Sequence, residues 1–172
     1  TSLGEDTERE GLLKTPLRVA KSMAHLTQGY KMDAVEIINS AKFTESYSEM
    51  VIVKDIELYS MCEHHMLPFS GKIHIIYSPN GRVFGISKLV RLVEKYSKRL
   101  QIQERLTKNI ADELYAQGVK GVVVLIDAEH FCMKMRGVRN DATLTTSAYR
   151  GIYENKEEKE SIMTMIRRRI SD

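Results

Sequence analysis

The sequence predicts an α+β fold, and three features of its patterning carry that prediction. Residues 1–40 follow a helical period, and from Val51 the chain switches to β-branched, partly alternating runs. Two helical periods then stand side by side between the second and third of those runs. The expected core order is strand, strand, helix, helix, strand, strand, behind a helical arm. Strands joined by turns favour a four-stranded antiparallel sheet, with the consecutive helices on one face. The expected divisions are an N-terminal helical arm over 1–50, a core domain over 51–153 and a C-terminal helical tail over 154–172.

Each element has a local reason. Leu12, Leu13, Leu17, Ala20, Met23 and Ala24 recur at steps of three and four. Thr15 is the expected N-cap and Pro16 the first helical residue, which its fixed φ suits. Gly29 should stop that helix, and Asp33 should cap a short one carrying Val35, Ile37 and Ile38. Residues 41–50 are polar and mixed and read as a connection. Val51 to Tyr59 is the first strand and Lys72 to Tyr77 the second, followed by a Pro79-Asn80-Gly81 turn. One helix begins at Ser87 and carries Leu89, Leu92, Val93, Tyr96 and Leu100. Another runs from about Gln103 with Leu106, Ile110 and Leu114 inward, and Gly118 ends it. Val122 to Ala128 is a buried strand, and Ala142 to Tyr153 the fourth. Glu154 to Asp172 reads as an exposed, charged helix.

Composition narrows the function classes. A chain of 172 residues, 42% hydrophobic and 28% charged, is one ordinary globular domain. The longest aliphatic run, Val122 to Ile126, is far short of the ~20 residues that span a bilayer, so no membrane partner is expected. The net charge of +3 forms no basic stripe along a helix. The Arg167-Arg168-Arg169 cluster reads as a solvated last helical turn, so nucleic acid is not an expected partner. Thr1 to Glu10 is polar and acidic, unlike a secretory leader, and two cysteines exclude a disulfide scaffold. The expected setting is cytoplasmic and reducing.

The strongest chemical signal is Ser60-Met-Cys62-Glu63-His64-His65, at the end of the first strand. A C-x-x-H spacing lets one tight turn present sulfur and imidazole to the same ion. His130-Phe131-Cys132 follows the buried strand, where alternate side chains should project together. Both cysteines and three of the five histidines thus fall in two short windows, each at a strand end. Cys62, His65 and Cys132 make a Cys₂His set for zinc, and three protein ligands are what a catalytic zinc keeps. His64 and His130 are left over beside the ligands, suited to proton transfer near neutral pH. His25 and His74 have bland readings, as helix surface and strand face. Ser87 and Lys88 open a helix whose free N–H groups favour an anion, Arg91 is one turn on, and Arg136 follows the second metal segment. A multiply phosphorylated substrate would suit those cations.

Taken in order, Lys14-Thr-Pro-Leu-Arg-Val-Ala-Lys21, Cys62-Glu-His-His65 with Pro68-Phe69, Gly85-Ile-Ser-Lys-Leu89, Gln101-Ile-Gln-Glu-Arg-Leu-Thr107, His130-Phe-Cys132 and Arg136-Gly137-Val138 resemble GTP cyclohydrolase I. The resemblance runs from about residue 11 to 153. It implies the tunnelling fold, with subunits joining their sheets into a barrel, and a homodecamer of two pentameric rings. It implies conversion of GTP and water into formate and 7,8-dihydroneopterin triphosphate, a step toward tetrahydrofolate and other pterins. By the same resemblance Cys62, His65 and Cys132 hold Zn²⁺, and His64 and His130 act as acid–base groups, His130 on the imidazole part of guanine. Gln103 and Glu104 read the guanine edge. Ser87, Lys88, Arg91 and Arg136 hold ribose and triphosphate, with Arg18 reaching in from a neighbouring subunit.

The chemistry suits those residues. Guanine C8 is a poor electrophile, and zinc lowers the pKa of water to about 7. A zinc nucleobase deaminase would show H-x-E followed by P-C-x-x-C, and neither occurs. Two alternatives stand beside the cyclohydrolase: another tunnelling-fold pterin or purine enzyme, and a zinc-stabilised nucleotide-binding module without catalysis.

Overall fold

A computed structural model of the chain describes residues 1–170, with side chains described as far as Ile166. The arm folds as α1 (Thr15–Leu26), a 3-10 turn at Gln28–Lys31 and α2 (Ala34–Asn39). Pro16 sits in the first turn of α1, but the N-cap is Lys14 rather than Thr15. Thr15 is already helical, and its hydroxyl donates to the Gly11 carbonyl instead of accepting a backbone N–H. No residue of α1 is buried, and Leu17 and Val19 are more than half exposed. Asp33 does cap α2, its carboxylate accepting the Glu36 N–H at 2.9 Å. Gly29 serves a purpose other than the expected stop, since α1 has already ended at Leu26. A Cβ at Gly29 would lie 2.0 Å from the Lys95 carbonyl oxygen, so only glycine allows that approach.

Residues 41–50 are more than a connection, because Lys42–Thr44 forms β1. After it come β2 (Val51–Cys62), β3 (Pro68–Ser78) and β4 (Arg82–Phe84), the last pairing antiparallel with β1 as a small separate sheet. Next are α3 (Ile86–Ser97), β5 (Leu100–Gln101), α4 (Gln103–Ala116), β6 (Gly121–His130), α5 (Phe131–Lys134), β7 (Thr143–Gly151) and α6 (Lys156–Ile170). The main sheet has five strands, in the order β5-β2-β3-β6-β7, where four were expected. The four long antiparallel strands are the expected ones. The fifth is the two-residue β5, which pairs parallel with Met61 and Cys62. Leu100 therefore belongs to a strand and not to the preceding helix, which stops at Ser97.

Two helices cover one face, as the pattern predicts. Leu89, Leu92 and Val93 of α3 and Leu106, Ile110 and Leu114 of α4 close over Leu58, Ile73, Ile75, Val122, Val124 and Ile126. The alternate residues Ile76, Val123 and Leu125 face the other side, where they meet Tyr153, Ile162 and Ile166. The tail helix is thus docked, contrary to its expected exposure. Ile162 and Ile166, one turn apart, are both buried, and full burial of such a side chain is worth about 1.5–3 kcal/mol. The side chains of Arg167, Arg168 and Arg169 lie outside the described residues. Among the described residues no helix is long and apolar enough to cross a membrane.

His74 sits on the α6 side of β3 and is buried, only 4% exposed. Its Nδ1 accepts the Asp55 N–H at 3.2 Å, at the bulge where β2 and β3 lose register between Val53 and Ile56. Burial holds its imidazole below the ordinary value, against the pull of Asp55 and Asp127. Between that lowered value and about 6.5 the unfolded chain binds more protons than the folded one, so stability falls as pH drops through this window. In His74→Asn the Oδ1 can replace Nδ1 as acceptor without titrating. The urea midpoint of that variant should depend less on pH than the wild type's between about pH 7.5 and 5.5. Identical dependence would absolve His74. Acid release of metal would affect both proteins alike and cancels in the comparison.

Candidate functional site

Strand register brings the two metal segments together. Phe69 of β3 pairs with Ser60 of β2 on one side and with His130 of β6 on the other. The end of β2 and the end of β6 therefore meet at one rim of the sheet. At that rim the Cys62 N–H donates to the Leu67 carbonyl and the Met66 N–H to the Cys62 carbonyl, both at 2.8 Å. This tight connection folds His65 back beside Cys62. The Glu63 carboxylate accepts both guanidinium arms of Arg105, at 2.6 and 3.1 Å, which ties the connection to α4.

One donor atom each from Cys62, His65 and Cys132 lies within 4.8 Å of the other two. A tetrahedral ion with bonds of ~2.0–2.3 Å spaces its ligand atoms ~3.3–3.8 Å apart, so a small inward movement closes the group on zinc. Cys62 Sγ and His65 Nδ1 are 3.9 Å apart, and both cysteines are free thiols. Two thiolates and an imidazole suit zinc in chemistry as well as in spacing. His64 Nδ1 is equally near Cys62, at 3.8 Å, but His65 is the histidine that also reaches Cys132. Burial and the neighbouring Cys62 push the Cys132 thiol up, because two adjacent sulfurs resist ionising together. A divalent cation reverses that balance.

His130 and Cys132 do not sit on alternate positions of one strand. His130 ends β6, whereas Cys132 is already in the one-turn helix α5. The His130 ring stacks on Phe69, with centroids 4.7 Å apart and planes within 6°. Its Nε2 is 2.8 Å from Gln103 Oε1. Burial lowers the His130 pKa, with the Glu104 carboxylate opposing. Gln103 is 1% exposed, and its Nε2 is spent on the Ile126 carbonyl, the Leu144 carbonyl and the Thr146 hydroxyl.

The remaining expected residues divide among separate places. His130 and Cys132 line a cavity of about 360 Å³ with Thr143 and Leu144 of β7. Glu104 lines another, about 450 Å³, between α4 and β7, together with Thr146, Arg150 and Lys159. Lys88 and Arg91 line a third, about 410 Å³, with Lys31, Asp33 and Glu36, and none of the three metal candidates borders it. Ser87 is in the first turn of α3, Arg136 is exposed just after α5, and Arg18 is exposed on α1. Sequence reasoning assigned nothing to Phe69, Thr107 or Thr146. Phe69 stood beside the metal motif, but only strand register shows that it stacks on His130.

Comparison with known proteins matches this arrangement. The family model of GTP cyclohydrolase I covers residues 1–167. GTP cyclohydrolase 1 of Bacteroides fragilis is 53% identical over 98% of this chain and 88% of its own. GTP cyclohydrolase 1 of Chlorobium phaeovibrioides is 57% identical over 90% of this chain and 70% of its own. Among solved structures, the apo form of the archaeosine synthase QueF-Like covers 62% of this chain and 97% of its own, with a TM-score of 0.52 at 20% identity. That likeness carries the fold alone, the tunnelling fold. The near full-length matches carry more, and with the metal group assembled by strand register they lead to one conclusion: the chain belongs to the GTP cyclohydrolase I family.

Proposed function

We propose that this chain hydrolyses the guanine ring of GTP, releases C8 as formate and yields 7,8-dihydroneopterin triphosphate. The observation that carries the reading is the Cys62–His65–Cys132 donor group with His130 beside it, in a chain of this family. Zinc held by those three residues would supply Lewis acidity, bringing water within reach of ionisation near neutral pH. The chain's own residues do the rest. His130 delivers a proton to the imidazole part of guanine as the ring opens, and His64, whose Nδ1 is 3.8 Å from Cys62 Sγ, exchanges protons beside the ligand group. The Glu104 carboxylate has two acceptor oxygens for the N1–H and 2-amino donors of guanine. Ser87, Lys88, Arg91 and Arg136 hold ribose and triphosphate, aided by the positive end of α3.

Lys88 and Arg91 line a cavity that none of Cys62, His65 and Cys132 borders, which supports a complete site formed between subunits. The sheet supports this, since among the described residues most of β2 and all of β7 have unpaired outer edges that invite strands of other copies. Closure into a barrel, in a decamer of two pentameric rings, removes those edges and brings Arg18 of one subunit to the phosphates bound by the next. In this reading 51–153 carries the chemistry, 1–50 completes a neighbour's site and 154–172 backs the sheet, in a cytoplasmic enzyme.

The test is incubation of the zinc-loaded protein with GTP, followed by oxidation and detection of a fluorescent pterin. Absence of pterin would overturn the reading. His64→Ala and His130→Ala should each keep their zinc and lose ~10²-fold or more in rate, the usual contribution of a positioned proton donor. Wild-type turnover in either variant would remove that residue from the mechanism.

A further inference from the structure

We infer that Gln103 is a positioning residue, whose buried amide fixes His130 as the Nε2–H tautomer and leaves Nδ1 as the nitrogen that exchanges protons. The inference rests on the reading of His130 as an acid–base group and deepens it.

The argument follows the hydrogen bonds outward from the backbone. One end of the Gln103 amide faces the Ile126 carbonyl at 3.1 Å and the Leu144 carbonyl at 2.8 Å. Carbonyl oxygens only accept, so that end must be the NH₂ group, because an amide oxygen there would meet two oxygens with no hydrogen between them. The Thr146 hydroxyl, 3.1 Å from the same nitrogen, fits this assignment. Thr107 Oγ1 donates its proton to the backbone carbonyl of Gln103 at 2.7 Å and lies 2.7 Å from Thr146 Oγ1. Thr146 must then donate to Thr107, which leaves its own oxygen free to accept from Gln103.

The orientation of the amide is therefore set by its surroundings. Its oxygen points to His130 Nε2 at 2.8 Å, and because an amide oxygen can only accept, the ring nitrogen facing it must be an N–H donor. Nε2 carries a proton whether the ring is neutral or cationic. It can neither take a proton from substrate nor bind metal, so proton exchange falls to Nδ1. The parallel stack on Phe69, itself fully buried, holds the ring plane against rotation away from the amide. Gln103 is 1% exposed with both N–H donors committed, so it has no donor left for a purine edge.

The test reads the tautomer directly. Zinc-loaded protein labelled with ¹⁵N-histidine is examined by solid-state NMR at mildly alkaline pH, and the His130 signals are assigned by their loss in His130→Asn. Nε2 should appear as the protonated nitrogen and Nδ1 as the bare one. The opposite assignment, or an even mixture, would overturn the inference. Gln103→Met keeps the shape without the amide. It should retain zinc, show mixed His130 tautomers and lose roughly 10²-fold in kcat, with KM for GTP nearly unchanged. A tenfold rise in KM at unchanged kcat would mean that Gln103 reads the base instead, and the inference would be wrong. Should that variant not fold, the tautomer of the unsubstituted protein decides the matter alone. Because the tautomer is read without turnover, it separates this inference from the GTP reaction itself.

Discussion

Cys132→Ala should lose its zinc and its turnover together while remaining folded. The residue is the cleanest of the three proposed ligands to remove. It sits half-buried in the one-turn helix α5, whereas Cys62 is 6% exposed and packs in the core beneath α3 and α4. A Cys₂His site that loses one thiolate keeps two donors, too few for the tetrahedral set that holds zinc firmly. Metal content should fall from about one zinc per chain to a small fraction, and formation of pterin to background. The circular dichroism spectrum should persist, because the sheet and both covering helices are held by an apolar core against which Cys132 is only partly buried. Zinc binding by the wild type should weaken in acid, since the thiolates must be deprotonated to bind, and burial and the neighbouring Cys62 already push the Cys132 thiol up. Full zinc occupancy in Cys132→Ala would sink the ligand assignment.

The second large effect is recovery of activity from two dead chains. On the proposed shared site, Arg18→Ala lacks the cation that reaches a neighbour's phosphates, and His130→Ala lacks the proton donor. Each should be nearly inactive alone. Arg18 lies on α1, whose apolar side chains Leu17 and Val19 are left exposed in a single chain, as expected of an arm that packs on another copy. In oligomers formed by co-expressing the two variants equally, about one site in four receives Arg18 from one chain and His130 from the next. Activity should return to about that fraction of wild type. Mixed oligomers that form, as shown by two affinity tags purifying together, and stay inactive would refute the shared site.

How far the sequence discloses this molecule depends on how local each feature is. The four long strands and the helices α3 and α4 have readable periods and are found near their expected places, although β3 begins earlier, at Pro68, and α3 ends earlier, at Ser97. The metal group was readable because Cys is scarce here and Cys62 and His65 are neighbours in one turn. Its third member needs β3 as a bridge, and no local pattern encodes that strand's register with both partners. Strand β5 has two residues and therefore no period to detect. The tail looked exposed because charges dominate it, yet Ile162 and Ile166 stand at the i, i+4 spacing that one buried stripe requires. Gln103 shows the sharpest limit. Its position in the motif suggests a ligand contact, and only the packing of α4 against β6 and β7 reveals a buried amide bonded to two strands.

The account turns on hydrolytic loss of guanine C8 at the Cys62–His65–Cys132 centre. Supplying GTP labelled with ¹³C at C8 to the zinc-loaded enzyme tests it most directly. One labelled formate should appear for each dihydroneopterin triphosphate, no label should remain in the pterin, and both products should vanish when a chelator removes the metal. Label retained in the product, or turnover that survives complete removal of zinc, would contradict the account.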